Sequence, residues 1–99
     1  MSIVMIRVTP DDFEAWRSAH ESCRELRRAY AVTDERTYRG LGHEGTALVE
    51  LETTDVARTM EWFASAEFAK ASQGISVRER MLYIAEPAPG KPDGASAQT

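Results

Sequence analysis

The sequence predicts a single α+β domain whose elements run in the order β-α-β-β-α-β. Three observations carry this. Residues 3–8, Ile-Val-Met-Ile-Arg-Val, are apolar and β-branched on both alternating faces, which suits a strand covered on both sides. An amphipathic stretch follows at once, with Phe13, Trp16, His20, Cys23, Arg27 and Tyr30 on one helical face. Beyond it, two alternating segments flank a glycine-containing loop, and a second helical stretch and a last apolar strand complete the order.

Each element has its own local signals. Thr9 is a good N-cap, Pro10 suits the first helical position, and Asp12 takes the acidic place of a capping box. Asp11, Asp12 and Glu14 load the first turn while Arg24, Arg27 and Arg28 load the last ones, so both ends complement the helix dipole. One helix is expected over residues 10–30. Residues 32–40 read as a strand with one wet face, 41–45 (Leu-Gly-His-Glu-Gly) as a hairpin loop, and 46–52 as its second arm. Thr53, Thr54 and Asp55 offer a cap for a second helix that carries Val56, Met60 and Phe63. Ser65 can cap a further short helix with Phe68 and Ala71, ended by Gly74. Residues 77–85 form the last strand, with Met81, Tyr83 and Ala85 on one face and Leu82 and Ile84 on the other. The folded domain is expected over 1–86. Residues 87–99, rich in Pro, Gly and small side chains, are expected to be a disordered tail.

Composition excludes several functions. The net charge of −4 and the scattering of the ten Arg leave no basic surface for nucleic acid. One cysteine, Cys23, allows no intrachain disulfide and no multi-cysteine zinc or redox site. The two histidines lack metal-ligand spacing, so no metal is expected. The first apolar run stops at Arg7, and no stretch approaches the roughly 20 apolar residues of a membrane helix. The expectation is a cytoplasmic protein with neither a membrane nor a nucleic-acid partner.

Two β-α-β units make a four-stranded antiparallel sheet with its helices on one face, the ferredoxin-like arrangement. The first and last strands are apolar on both faces, so the face without helices needs cover. A second copy of the chain would supply it, as a homodimer with stacked sheets.

The stretches Asp12-Phe13-Glu14-Ala15-Trp16, Glu35-Arg36-Thr37-Tyr38-Arg39 and Ala64-Ser65-Ala66-Glu67-Phe68-Ala69-Lys70-Ala71 resemble the dimeric α+β barrel superfamily, over roughly residues 3–86. That superfamily includes antibiotic-biosynthesis monooxygenase-like proteins and small polyketide cyclases. The resemblance implies a dimer with a ligand pocket between the helices and the sheet, and a cofactor-free enzyme. The chain departs from the superfamily's known residue sets. It has no asparagine, so neither the Asn-Trp-His set of the haem-degrading members nor the Asn-Trp-Tyr set of the quinone-forming oxygenases can be built. Ser72 stands where the haem-degrading pattern carries its iron-ligating histidine. The histidine-rich cavity of the aldol-type cyclases would have to be altered as well, with only His20 and His43 present.

The residues left for chemistry follow from this frame. His20 lies on the helix's apolar stripe, where an imidazole can move a proton near neutral pH; the structural alternative is a packed histidine bonded to a neighbouring carboxylate. Tyr83 or Tyr38 would orient a ligand oxygen, and Arg7 would stabilise an enolate or carboxylate. Arg7 and Glu50 each interrupt an apolar strand, so an Arg7–Glu50 pair is the structural alternative. Trp16, Trp62 and Phe63 are candidate pocket walls, with core packing as their alternative. The catalytic set is therefore His20, Tyr83 and Arg7. The substrate-binding set is Trp16, Tyr38, Glu50, Trp62 and Phe63. The expected reaction is cyclisation, isomerisation or dehydration of a small polyketide-like or aromatic molecule. Cofactor-independent oxygenation is one alternative, and a non-catalytic binding or structural dimer is another.

Overall fold

The computed structural model describes residues 1–87. Of the expected tail at 87–99, residues 88–99 lie outside the described residues. The elements are β1 (Ser2–Pro10), α1 (Phe13–Ser22), α2 (Arg24–Arg28), β2 (Val32–Gly40), β3 (His43–Thr53), α3 (Val56–Phe63), α4 (Ala66–Ala71) and β4 (Val77–Ala85). The strands form one antiparallel sheet in the order β2-β3-β1-β4, with β1 and β3 at its centre. This is the ferredoxin-like α+β arrangement, with the helices on one face.

Alternation along the two central strands makes the core. Val4, Ile6 and Val8 of β1 and Ala47, Val49, Leu51 and Thr53 of β3 are buried on the helix side. Trp16, Met60 and Phe63 pack down on Val4, Ile6, Val32, Val49 and Leu51. Each such aliphatic side chain contributes about 1.5–3 kcal/mol by leaving water. Two buried hydroxyls tie α3 to the sheet. Thr59 Oγ1 lies 2.7 Å from Thr53 Oγ1 and 2.8 Å from the Tyr30 carbonyl oxygen.

Three expectations need correction. The long first helix starts later and is broken. Pro10 ends β1 instead, buried and paired with Val77 across a register shift. Asp12 rather than Thr9 caps α1, its Oδ1 accepting the Ala15 amide at 3.1 Å. At Cys23 (φ −100°, ψ 8°) the helix loosens, its amide bonding back to the His20 carbonyl at 3.2 Å, and α2 restarts at Arg24. The hairpin is also tighter than expected. Gly40 pairs with His43, leaving Leu41-Gly42 as a two-residue turn in which Gly42 has φ 78°. His43 thus opens β3 and is exposed. Lastly, the Arg7–Glu50 pair does not form. Glu50 stands opposite Met5 and Arg36, whereas Arg7 stands opposite Met81 and meets Glu79 at 3.6 Å.

Among the described residues, no helix is long and apolar enough to cross a membrane.

Candidate active site

Between the helices and the covered face of the sheet the core is incompletely filled. A cavity of about 110 Å³ remains, floored by Ile6, Val49 and Leu51 and walled by Trp16, Phe63 and Phe68. The walls hold one another by edge-on aromatic contacts. Phe68 meets Phe63 at 5.5 Å and Trp62 at 5.6 Å, each at an interplanar angle of 71°. Ser65 sets the position of Phe68 by capping α4, its Oγ accepting the Phe68 amide at 3.1 Å.

The polar end of the cavity comes from the first helical stretch. His20, Cys23 and Arg27 follow one another at steps of three and four, so they keep a common face across the break at Cys23. All three line the cavity. The His20 ring stacks on Trp16, with centroids 5.1 Å apart and planes 8° from parallel. Its Nε2 lies 3.4 Å from Thr37 Oγ1 and 3.9 Å from Glu35 Oε1.

Arg27 is only 2% exposed. It donates to Glu35 in a bidentate pair, Nε to Oε2 at 2.8 Å and Nη2 to Oε1 at 2.7 Å. Glu35 reaches it because it stands opposite Leu51 on the covered face of β2. Arg24 adds a second, exposed guanidinium 3.9 Å from the same Oε1. Burial chiefly, and then the charge of Arg27, push the His20 imidazole down from 6.5 to about 4; Glu35 opposes this, and Arg24 adds to it. His20 is therefore neutral at pH 7, able to accept or share a proton.

The sheet divides the expected site residues into two groups. Trp16, His20, Trp62 and Phe63 all line the cavity. Tyr83, Arg7, Tyr38 and Glu50 do not. Tyr83 stands opposite Met5, Arg7 opposite Met81, Tyr38 opposite Leu48 and Glu50 opposite Arg36. These positions alternate with the buried ones and point away from the helices. Tyr83 is 54% exposed and Tyr38 45%. The expected trio of His20, Tyr83 and Arg7 is thus split by the thickness of the sheet, and no small substrate on one face can touch all three. Tyr38 and Glu50 leave the substrate-binding set for the same reason. Residue by residue reading missed Arg27 and Glu35. The available signal was an arginine on an otherwise apolar helical stripe, which forecasts a buried, partnered charge. Arg80 of β4, lining the cavity opposite the helices, was missed too.

Among the described residues, no group of three or more His, Cys, Asp or Glu is gathered to hold a metal ion. Haem is not suited to the residue at its expected ligand position, because Ser72 lines the cavity with a hydroxyl.

Solved structures share this architecture. One is an antibiotic biosynthesis monooxygenase, with TM-score 0.72 and 14% identity over 90% of this chain and 100% of that one. The chain has the antibiotic biosynthesis monooxygenase-like fold. Rv0793 from Mycobacterium tuberculosis superposes with TM-score 0.69 and 17% identity, covering 96% of this chain and 98% of that one. PA3566 from Pseudomonas aeruginosa does so with TM-score 0.70 and 12% identity over 88% and 94%. No family model and no curated protein matches the chain in sequence. At these identities the likeness is one of fold, and the chemistry rests on the cavity itself.

Proposed function

We propose that this chain is a small cofactor-independent monooxygenase-like enzyme acting on a single-ring phenolic substrate. The observation that carries the reading is the cavity, with aromatic walls and a neutral imidazole stacked on Trp16 at its polar end. A dry cavity of about 150 Å³ holds benzene, so about 110 Å³ suits one ring or a part of one. A volume that suits one ring fits a single-ring substrate of an oxygenase better than the whole of a folded polyketide chain. The solved structure of the same fold described as an antibiotic biosynthesis monooxygenase supports the same choice.

The chemistry needs only the substrate and dioxygen. His20 takes the phenolic proton, the phenolate formed beside it offsetting the burial and the Arg27 charge that otherwise keep the imidazole neutral. The phenolate passes one electron to dioxygen, and the resulting radical pair joins at a ring carbon as a peroxide. His20 returns its proton to the outer peroxide oxygen, the O–O bond breaks as that carbon loses its hydrogen as a proton, and the departing oxygen takes up this second proton and leaves as water. A phenol plus dioxygen thus becomes a quinone plus water.

Two further parts of the reading concern setting. The exposed face of the sheet, with Tyr38, Met81 and Tyr83, pairs with the same face of a second copy. The working compartment is the cytoplasm, which suits the free thiol of Cys23.

Oxygen uptake with a panel of substituted phenols tests the reaction. Turnover with one oxygen atom of ¹⁸O₂ in the product is expected, with a loss of at least 100-fold in His20→Gln and no change in Arg7→Ala. Uptake unaffected by His20→Gln would refute the role of the imidazole. Sedimentation equilibrium tests the pairing, and a monomer at 100 μM would refute it.

A further inference from the structure

The charged groups that line the cavity are both arginines. Arg27 and Arg80 reach it and, among the described residues, no carboxylate does; Glu35 binds Arg27 but is not part of the wall. This is a surplus of positive charge in a chain of net charge −4.

Arg27 is also incompletely used. Its Nε and Nη2 bind Glu35, and its Nη1 has no hydrogen-bond partner among the described residues. Yet no sealed side-chain nitrogen or oxygen there lacks a partner, so Nη1 faces space that water can enter. Arg27 is 2% exposed and is one of the residues lining the cavity. A buried guanidinium nitrogen without a protein partner needs an acceptor oxygen, from water or from a ligand. The cavity wall supplies none with a full charge.

The position is suited to a ligand anion. Glu35 fixes the guanidinium plane by two parallel bonds, so the remaining N–H groups are oriented before a ligand arrives. The imidazole of His20 lies near the same carboxylate oxygen, its Nε2 3.9 Å from Glu35 Oε1 against 2.7 Å for Arg27 Nη2. One oxygen atom on a ring could therefore meet the guanidinium and lie near the imidazole, while the ring rests on the aromatic walls.

We infer that the cavity selects a single-ring aromatic anion, a carboxylate or phenolate, whose charged oxygen is received by Arg27 Nη1, with Arg80 adding to the positive field. This deepens the proposed oxygenase reading and rests on it for the location of the site. It also gives the anion-stabilising role to Arg27.

Benzoate and its neutral isostere benzamide separate the two ideas. Both are titrated into the full chain at pH 7 while the indole signals of Trp16 and Trp62 are followed by NMR. Benzoate is expected to bind at least 10-fold more tightly. The double substitution Arg27→Met with Glu35→Leu removes the pair together, leaves no lone buried charge, and is checked for folding by circular dichroism. It should equalise the two ligands. Glu35→Gln, which removes the competing carboxylate and keeps Arg27, should retain or increase the benzoate preference. Equal binding of benzoate and benzamide to the native chain overturns the inference and leaves the cavity as a ligand site. A benzoate preference that survives in the folded double variant overturns the role of Arg27. If neither ligand moves either indole at 10 mM, the inference and the placing of the active site in this cavity both fail. If benzoate is preferred but no phenol consumes oxygen, anion selection stands and the oxygenase reaction does not.

Discussion

The two faces of one sheet differ more than any two separate regions of this molecule. On the helix side, Val4, Ile6, Val49 and Leu51 are buried, and the charges near them are the paired Arg27 and Glu35, with Arg80 at the cavity wall. On the other side, the same strands present Tyr38, Tyr83, Arg7 and Glu50 in positions one residue out of step. A charge on the covered face is expensive to place and strong once placed, because little water screens it. A charge on the open face is solvated and worth little: Arg7 and Glu79 are 47% and 57% exposed and 3.6 Å apart. The same residue type therefore means different things a single register step apart.

Breaking the buried pair from one side should have the largest effect. Arg27→Met leaves the Glu35 carboxylate buried and uncompensated, and urea denaturation should show a loss of about 3–5 kcal/mol. Leu51→Ala, in the covered centre of β3, should cost about 2–5 kcal/mol in the same measurement.

The pH response comes next. The folded pKa of His20 lies near 4, below its ordinary 6.5. Above pH 6.5 the imidazole is neutral in both states and contributes no slope. As pH falls from 6.5 to 4 the unfolded chain takes up a proton that the native one refuses, so stability drops. The loss amounts to about 3 kcal/mol and levels off below pH 4. Subtracting the profile of His20→Gln isolates this slope, since the carboxylates titrate in both proteins. A flat difference would contradict the buried, neutral imidazole.

The open face should respond least. Arg7→Ala should change unfolding free energy by no more than about 0.5 kcal/mol. Tyr83→Ser should leave the covered core unchanged and weaken self-association, read by sedimentation. If Tyr83→Ser instead alters oxygen uptake at fixed oligomeric state, the division of labour between the faces is wrong.

Much of this architecture was legible from local patterns. The alternation in residues 77–85, the Ser65 and Asp55 caps and the stripe from Phe13 to Tyr30 forecast β4, α3, α4 and the covered side of the first helical stretch. They act over a few residues, and so does the physics of capping and periodicity. The cavity residues on that stripe, Trp16 and His20, were readable for the same reason. Arg7, Tyr38, Glu50 and Tyr83 were misplaced because a strand's pattern gives two faces without saying which one the helices cover. The break at Cys23 was equally hidden, since Arg24, Arg27 and Arg28 continue a good helical end in isolation.

By itself, then, the sequence determined the order of elements, the caps at Asp55 and Ser65, and the stripe that carries Trp16, His20, Cys23 and Arg27, because each depends on neighbours in the chain. The tertiary structure alone decided that Glu35 meets Arg27 across eight residues and that Arg27 lines a cavity. It also decided that Arg7 and Tyr83 lie beyond the sheet from His20. Those outcomes depend on strand register and on helix packing, where the free energy of burial is summed over residues far apart in sequence.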